Sequence, residues 1–297
     1  MRILVTGASG WIGSASVTEL IDAGHHVLGL ARNDEAAAKI AALGAEVVRG
    51  SLDNLDSLRV AATMAEGVVH LGYNHDFSQM AAAAQTDRAA IETFADVLTG
   101  TGGPLLIASG TLGLATGRVG IESDTPAPDG HPRLANAAYV LGLRERGIRS
   151  MVVRFAPTVH GAGGDHGFVA VLATIARQSG ASAYIGDGQN RWPAVNRLDA
   201  GKLVRLAIDK APAGSALHAV AEEGVATREI AGALGRFLNV PVESIPADQA
   251  QSRFDWLSMF FGADIPASSA HTRSLLGWEP VHPTLLGDIA AGHYPGQ

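Results

Sequence analysis

Three glycines near the start of the chain, Gly7, Gly10 and Gly13, stand at the spacing that lets a backbone turn cradle a diphosphate. In that role Gly7 permits a tight turn, Gly10 removes a side chain where backbone must approach phosphate, and Gly13 lets the next helix lie close on the strand. The unsatisfied N–H groups at the helix start then face the anion, with the positive end of the helix dipole behind them. Ser9, Trp11 and Ile12 complete the loop expected to touch a dinucleotide. Further along, Arg32 carries a guanidinium suited to bidentate bonds with phosphate oxygens. The groups able to move a proton or steady an oxyanion are imidazoles and hydroxyls, chiefly His75, His160, Ser109 and Thr111.

These groups need elements to position them. Arg2–Thr6 reads as a β-branched strand, the stretch from Ser14 to Ala23 as a helix, and His26 to Arg32 as a second strand. Further strands are predicted at Glu46–Arg49, Gly67–Gly72, Pro104–Ser109 and Ser150–Arg154, separated by helices over Phe77–Thr99 and Leu134–Arg146. This alternation is the pattern of βαβ units and a parallel sheet, and the continuous apolar runs fit strands covered on both faces. Ligands of open parallel sheets sit beyond the carboxyl ends of the strands. That rule selects Gly7–Gly13, Asp53, Gly72–Asp76, Ser109–Thr111 and Phe155–His160 as the rim of a site. After Gly161 the chain turns to shorter elements, with helices expected over Phe168–Gln178, Thr227–Leu238 and Asp248–Phe261.

The tip of the second strand selects the nucleotide. An acidic residue there binds the ribose hydroxyls of NAD, whereas an arginine accommodates the 2′-phosphate of NADP. The tip here is Ala31-Arg32-Asn33, with no carboxylate before Asp34, so NADP(H) is expected over NAD(H).

Bulk properties exclude other classes. The 297 residues are 47% hydrophobic and 17% charged, enough for a sizeable core, and the net charge of −7 with no basic run argues against a nucleic-acid surface. With no cysteine, thiolate catalysis and Cys-ligated metals are excluded. His160, Asp165 and His166 match no recognised ligand spacing, so no metal is expected. The first strand begins at residue 2 and no apolar run has membrane-spanning length, which leads us to expect a cytoplasmic protein with no membrane partner.

Taken in order, the segments Thr6–Gly13, Gly50–Asp53, Val69–Gly72, Ser109–Thr111, Val153–Gly161, Leu198–Ala200 and Leu276–Pro280 resemble an extended short-chain dehydrogenase/reductase of the epimerase/dehydratase group. The resemblance implies a Rossmann-type α/β fold: a doubly wound parallel sheet with a seventh strand returning near Ala216–Ala219, and a smaller C-terminal substrate lobe. The division expected is 1–165 with 192–222 for the nucleotide, and 166–191 with 223–297 for the substrate. It also implies that Asp53 contacts adenine, that Leu71 and Gly72 line the nucleotide, and that a homodimer forms through two long helices.

Members of that family typically carry Tyr-x-x-x-Lys, one helical turn apart. This chain has no such pair: four residues after Tyr73, Tyr139 and Tyr184 stand Phe77, Leu143 and Gly188, and Tyr294 has no residue four positions on. Counting back from the sixth strand, the lysine position falls near Arg133 and the tyrosine position near Asp129. Arg133 can hold a ribose or a substrate oxygen but does not readily shuttle a proton. The chain therefore resembles an atypical branch with a changed active site.

Ser109 and Thr111 sit where the resemblance places hydroxyl donors. For the proton, histidines at strand ends are the candidates: His75 and His160 foremost, then His166 and His131, with His70 facing the core or the cofactor. Tyr73, His166 and Arg191 are expected to touch substrate, whereas Trp192 is expected to pack and Trp256, Met259, Phe260 and Phe261 to form core. The leading expectation is an NADPH-dependent oxidoreductase of carbonyl reductase or alcohol dehydrogenase type, acting on a small organic molecule. A sugar-nucleotide epimerase or dehydratase, and a non-catalytic NADP(H)-sensing protein, are the alternatives.

Overall fold

The computed structural model describes residues 1–74, 79–115, 117–125 and 132–294. The first half alternates β1 (Arg2–Thr6), α1 (Trp11–Asp22), β2 (His26–Ala31), α2 (Asp34–Ala42), β3 (Glu46–Arg49), α3 (Leu55–Thr63), β4 (Gly67–His70), α4 (Met80–Leu98), β5 (Pro104–Gly110), α5 (Pro132–Gly142) and β6 (Arg149–Phe155). Next come β7 (Thr158–His160), α6 (Phe168–Ser179), β8 (Ser182–Ile185), β9 (Arg191–Asn196), α7 (Arg197–Lys210) and β10 (Ser215–Ala219). The remainder holds β11 (Glu222–Ala226), α8 (Thr227–Leu238), β12 (Val242–Ile245), the short α9 (Ala250–Phe254) and α10 (Ser258–Phe261), α11 (Ala270–Leu276) and α12 (Leu285–Ala290).

Seven strands form one sheet in the order β10-β6-β5-β4-β1-β2-β3, and every neighbouring pair runs parallel. The order reverses between β1 and β4, which opens a crevice at their carboxyl ends, where the glycine loop follows β1. The expected parallel sheet, with its returning strand, is the sheet observed.

Strand periodicity assigns the core. Ile3 and Val5 of β1 join one apolar layer with Val17 and Leu20 of α1 and Leu203 and Val204 of α7. Leu4, pointing the other way, joins the opposite layer with Leu58 of α3, Phe94 of α4 and Val140 of α5. Each such side chain contributes about 1.5–3 kcal/mol on burial, so the two layers fix where the strand ends lie. A third cluster gathers α6, α8 and α12 around Trp192, Phe254, Leu257, Phe261 and Tyr294. There a three-stranded sheet, β11-β9-β7, and the pair β12-β8 provide the scaffold.

Three local expectations need correction. Helix α1 begins at Trp11 rather than Ser14, because Gly10 already serves as its N-cap. The helix expected over Asp248–Phe261 is broken at Asp255, whose φ of 48° no helix can propagate. Met259, expected in the core, is 70% exposed, whereas Phe261 is buried and Trp256 and Phe260 pack at the cluster's edge. Among the described residues no helix is long and apolar enough to cross a membrane.

Candidate nucleotide and substrate site

The glycine loop is tight at the positions the sequence marks. Gly7 has φ +68°, and a Cβ there would stand 2.7 Å from the Gly72 nitrogen. A Cβ on Gly13 would stand 1.9 Å from the Gly7 carbonyl oxygen, so only glycine lets α1 pass this close to the turn. Gly10 donates its N–H to that same oxygen at 2.9 Å. Helix α1 then starts with no side-chain cap and no acidic residue in its first turn. By contrast α2, α3 and α7 are capped by Asn33, Asn54 and Asn196 and carry acidic first turns. An uncapped, carboxylate-free helix start beside a glycine cradle fits the diphosphate of a dinucleotide.

Trp11, the first residue of α1, is pinned by a 2.7 Å hydrogen bond from its Nε1 to the Val159 carbonyl. His166 packs edge-on to the indole with ring centroids 6.4 Å apart, and the Arg197 guanidinium lies over the ring 4.5 Å from its centroid. Ser9, Ile12 and Leu71 are half-buried around the turn, and Asp53 is exposed after β3. Arg32 lies exposed just beyond β2. The nearest carboxylate in the chain, Asp34, is taken by Arg49 at 2.6 Å, and Asn33 is occupied capping Ala36. Glu35, held mainly by Lys39, also feels the Arg32 charge.

A chain of hydrogen bonds runs under the ends of β1 and β4. The Gly72 N–H donates to Thr6 Oγ1 at 3.0 Å, and Thr6 Oγ1 stands 2.7 Å from His70 Nδ1. A carboxylate oxygen only accepts, so His70 Nε2–H donates to Asp87 Oδ1 at 3.2 Å while Nδ1 faces the Thr6 hydroxyl. Asn136 donates to Asp87 Oδ2 at 2.7 Å. Burial works to raise the Asp87 carboxyl, but the hydrogen bonds from His70 and Asn136, with the charges of His70 and Arg133, hold it below the usual carboxylate range. Sequence reasoning missed Asp87. The signal was there: Ala83, Ala84, Ala90, Ile91 and Phe94 place it on the buried face of α4.

Beside this chain the Arg133 guanidinium covers the Tyr73 ring at 4.0 Å and reaches the Ala108 carbonyl at 3.5 Å. Tyr73, Arg133 and the end of β5 are therefore brought together. Burial raises the Tyr73 phenol, with the Arg133 charge opposing, and burial lowers the Arg133 guanidinium. One residue on from Ala108, Ser109 is only 4% exposed, and Thr111 only 3%. Neither Ser109 Oγ nor Thr111 Oγ1 has a hydrogen-bond partner among the described residues. An orphaned buried hydroxyl costs about 1–3 kcal/mol, which a ligand oxygen would offset.

Two expected site residues, His160 and Arg191, have carboxylate partners. His160 is fully buried, with Nδ1 2.6 Å from Asp288 Oδ2, which also accepts from Asn196 at 3.0 Å. Its Nε2 stands 3.8 Å from Glu222 Oε2. It is the centre of a tie between β7 and α12. Arg191 forms a two-pronged ion pair with Asp264 at 3.1 and 3.0 Å. Trp192 packs as expected, against Phe168 and Phe261. Near the tie, Tyr294 donates its hydroxyl to Asp165 Oδ2 at 2.7 Å, and Asp165 Oδ1 accepts from the Gly167 N–H. His75, His131 and Asp129 lie outside the described residues.

Comparison with known proteins agrees with this geometry. The model of the NAD dependent epimerase/dehydratase family matches residues 3–220. Two relatives run the full length: the uncharacterized protein C2A9.02 of Schizosaccharomyces pombe, 45% identical over 99% of this chain and 100% of its own, and the uncharacterized protein YLL056C of Saccharomyces cerevisiae, 43% identical over 99% of each. Among solved structures, the UDP-glucose 4-epimerase of Thermus thermophilus in complex with NAD superposes with a TM-score of 0.78 over 100% of this chain and 99% of that one, at 19% identity. On a glycine cradle, a switch-point crevice and a family match over most of its length, the chain belongs to the NAD-dependent epimerase/dehydratase family of enzymes, with the extended short-chain dehydrogenase/reductase fold.

Proposed function

We propose that this protein is an NADPH-dependent oxidoreductase that reduces a carbonyl on a small organic molecule, or oxidises the corresponding alcohol. The observation that carries the reading is the pair of buried hydroxyls, Ser109 Oγ and Thr111 Oγ1, at the carboxyl end of β5, which have no hydrogen-bond partner among the described residues. Two donors held where water is scarce suit an oxygen that gains negative charge during reaction. Arg133, reaching the Ala108 carbonyl next to them, adds a fixed positive charge without giving up a proton. Among the described residues, the Tyr73 phenol, kept protonated by burial, is able to deliver one. When bound, the reduced nicotinamide supplies the hydride.

Preference for NADPH over NADH rests on Arg32, exposed at the strand tip while Asp34 is paired with Arg49. The glycine cradle with its uncapped helix start would hold the diphosphate.

The test is a panel of aldehydes and ketones followed at the NADPH absorbance, with wild type and the Ser109→Ala/Thr111→Ala double variant. Stoichiometric NADPH loss with one carbonyl, slowed about a hundredfold or more in the double variant, supports the reading. Nucleotide that stays bound through purification, with epimerised or dehydrated sugar nucleotide and no net NADPH loss, would overturn it.

A further inference from the structure

One cation beside the cofactor loop is accounted for neither by the glycine motif nor by the substrate site. Arg197 opens α7, and its guanidinium rests on the Trp11 indole at 4.5 Å. Among the described residues it has no ion pair and no hydrogen bond. The carboxylates in its neighbourhood are engaged. Asp165 accepts from Tyr294 and Gly167, Asp199 accepts from the N–H groups of Val281 and His282 and from the His282 ring, and Asp288 holds His160 and Asn196.

The fold makes room for this arginine. Gly161, Gly163 and Gly164 have φ of +152°, +105° and +91°. A Cβ on Gly161 would stand 3.2 Å from Arg197 Cγ, and one on Gly163 would stand 3.7 Å from Arg197 Nη2. The bare backbone lets the side chain lie down on Trp11, and Trp11 is itself fixed by its bond to Val159.

Helix packing brings the arginine to the same end as the uncapped amides. A Cβ on Gly201 would stand 2.8 Å from the Ala15 carbonyl carbon, so α7 and α1 touch backbone to backbone. Ala15 is four residues into α1 and Gly201 four residues into α7. The two helix starts, Trp11 and Arg197, therefore lie side by side and face the same way.

We propose that Arg197 is a second anion-binding element of this site, one that grips a diphosphate together with the free amides of α1. This deepens the reading above and rests on it for the identity of the nucleotide. The diphosphate belongs either to the dinucleotide or to a nucleotide-bearing substrate, and the chemistry recognised is the same. A guanidinium on an indole is pre-organised, so little side-chain entropy is lost when a phosphate arrives.

Calorimetric titration of wild type, Arg197→Gln and Arg197→Lys decides the matter, with four probes: inorganic pyrophosphate, NADPH, UDP-glucose and adenosine 2′-monophosphate. The last carries no diphosphate and reports whether the adenosine end and the fold survive. Arg197→Gln is expected to weaken pyrophosphate and NADPH about ten- to a hundredfold, with partial recovery in Arg197→Lys and unchanged adenosine 2′-monophosphate affinity. Weakening of pyrophosphate and UDP-glucose with NADPH unchanged also upholds the anion site and assigns it to substrate. Equal pyrophosphate affinity in wild type and Arg197→Gln overturns the proposal, as does loss of all four probes together, which marks a purely structural role. A wild type that binds pyrophosphate but not NADPH sinks the cofactor reading while the Arg197 comparison still stands.

Discussion

Arg133 lies face-on over Tyr73, with its guanidinium carbon 4.0 Å from the ring centroid. This pair stands at the end of β5, in a chain that has no Tyr-x-x-x-Lys sequence. The cation reaches the phenol through the ring rather than from one helical turn away. If the phenol delivers the proton, Tyr73→Phe keeps the ring, the stacking and the nucleotide affinity, and kcat falls about a hundred- to ten-thousandfold. Because burial raises the phenol from its ordinary value, the proton donor stays protonated through neutral pH, and loss of its proton is expected to give kcat no alkaline limb in the neutral range. A Tyr73→Phe enzyme with wild-type kcat, measured by NADPH consumption, removes Tyr73 from the reaction.

Gly13 and Gly10 predict graded tolerances. A methyl group on Gly13 meets the Gly7 carbonyl at 1.9 Å, a backbone atom that cannot step aside, whereas one on Gly10 meets it at 3.1 Å. Gly13→Ala is expected to abolish measurable nucleotide binding and to cost about 1–3 kcal/mol of stability through overpacking. Gly10→Ala, which crowds the same oxygen less severely, should cost less stability than Gly13→Ala and still weaken nucleotide binding. Thermal melts and titration of both variants compare the two directly.

Arg32 should discriminate between the two nucleotides. Arg32 is exposed at the strand tip, with Asp34 paired to Arg49 and Glu35 held mainly by Lys39. Arg32→Ala should weaken NADPH about ten- to a hundredfold and leave NADH within about twofold. Equal losses for both nucleotides would remove the 2′-phosphate assignment.

Acid stability has an identifiable contributor outside the site. The Arg118 guanidinium beside Asp124, helped by the Ile121 N–H, brings this carboxyl down from 3.8 to about 2. Its folded value lies below its unfolded one, so its stabilisation is fully present above pH 3.8 and is lost as pH falls toward about 2. Asp124→Asn should therefore lower the denaturation midpoint at pH 6 and have little effect at pH 2. A variant destabilised equally at both values would show that the ion pair is not the cause.

What could be read in the sequence was local, and what could not be read was long-range. The glycine cradle and the parallel strands were legible because each is a continuous run with its own spacing. Asp87 was legible in principle, as a carboxylate on the apolar face of α4. The commitments of His160 and Arg191 were not. Their partners, Asp288 and Asp264, stand 128 and 73 residues downstream, and no local spacing connects an imidazole or a guanidinium to a carboxylate at that distance. Nor does composition show that α1 and α7 touch through Ala15 and Gly201, the contact that sets Arg197 on Trp11. Breakage of the helix over 248–261 depends on one backbone angle at Asp255.

The bond from Tyr294 to Asp165 has a practical meaning for anyone handling this protein. It moors the segment after α12 to the loop whose next residue, His166, leans on Trp11. A fusion partner, a protease nick or a shortened expression product that pulls Tyr294 from its berth would loosen the mouth of the nucleotide cleft from behind, without touching a single residue that lines it.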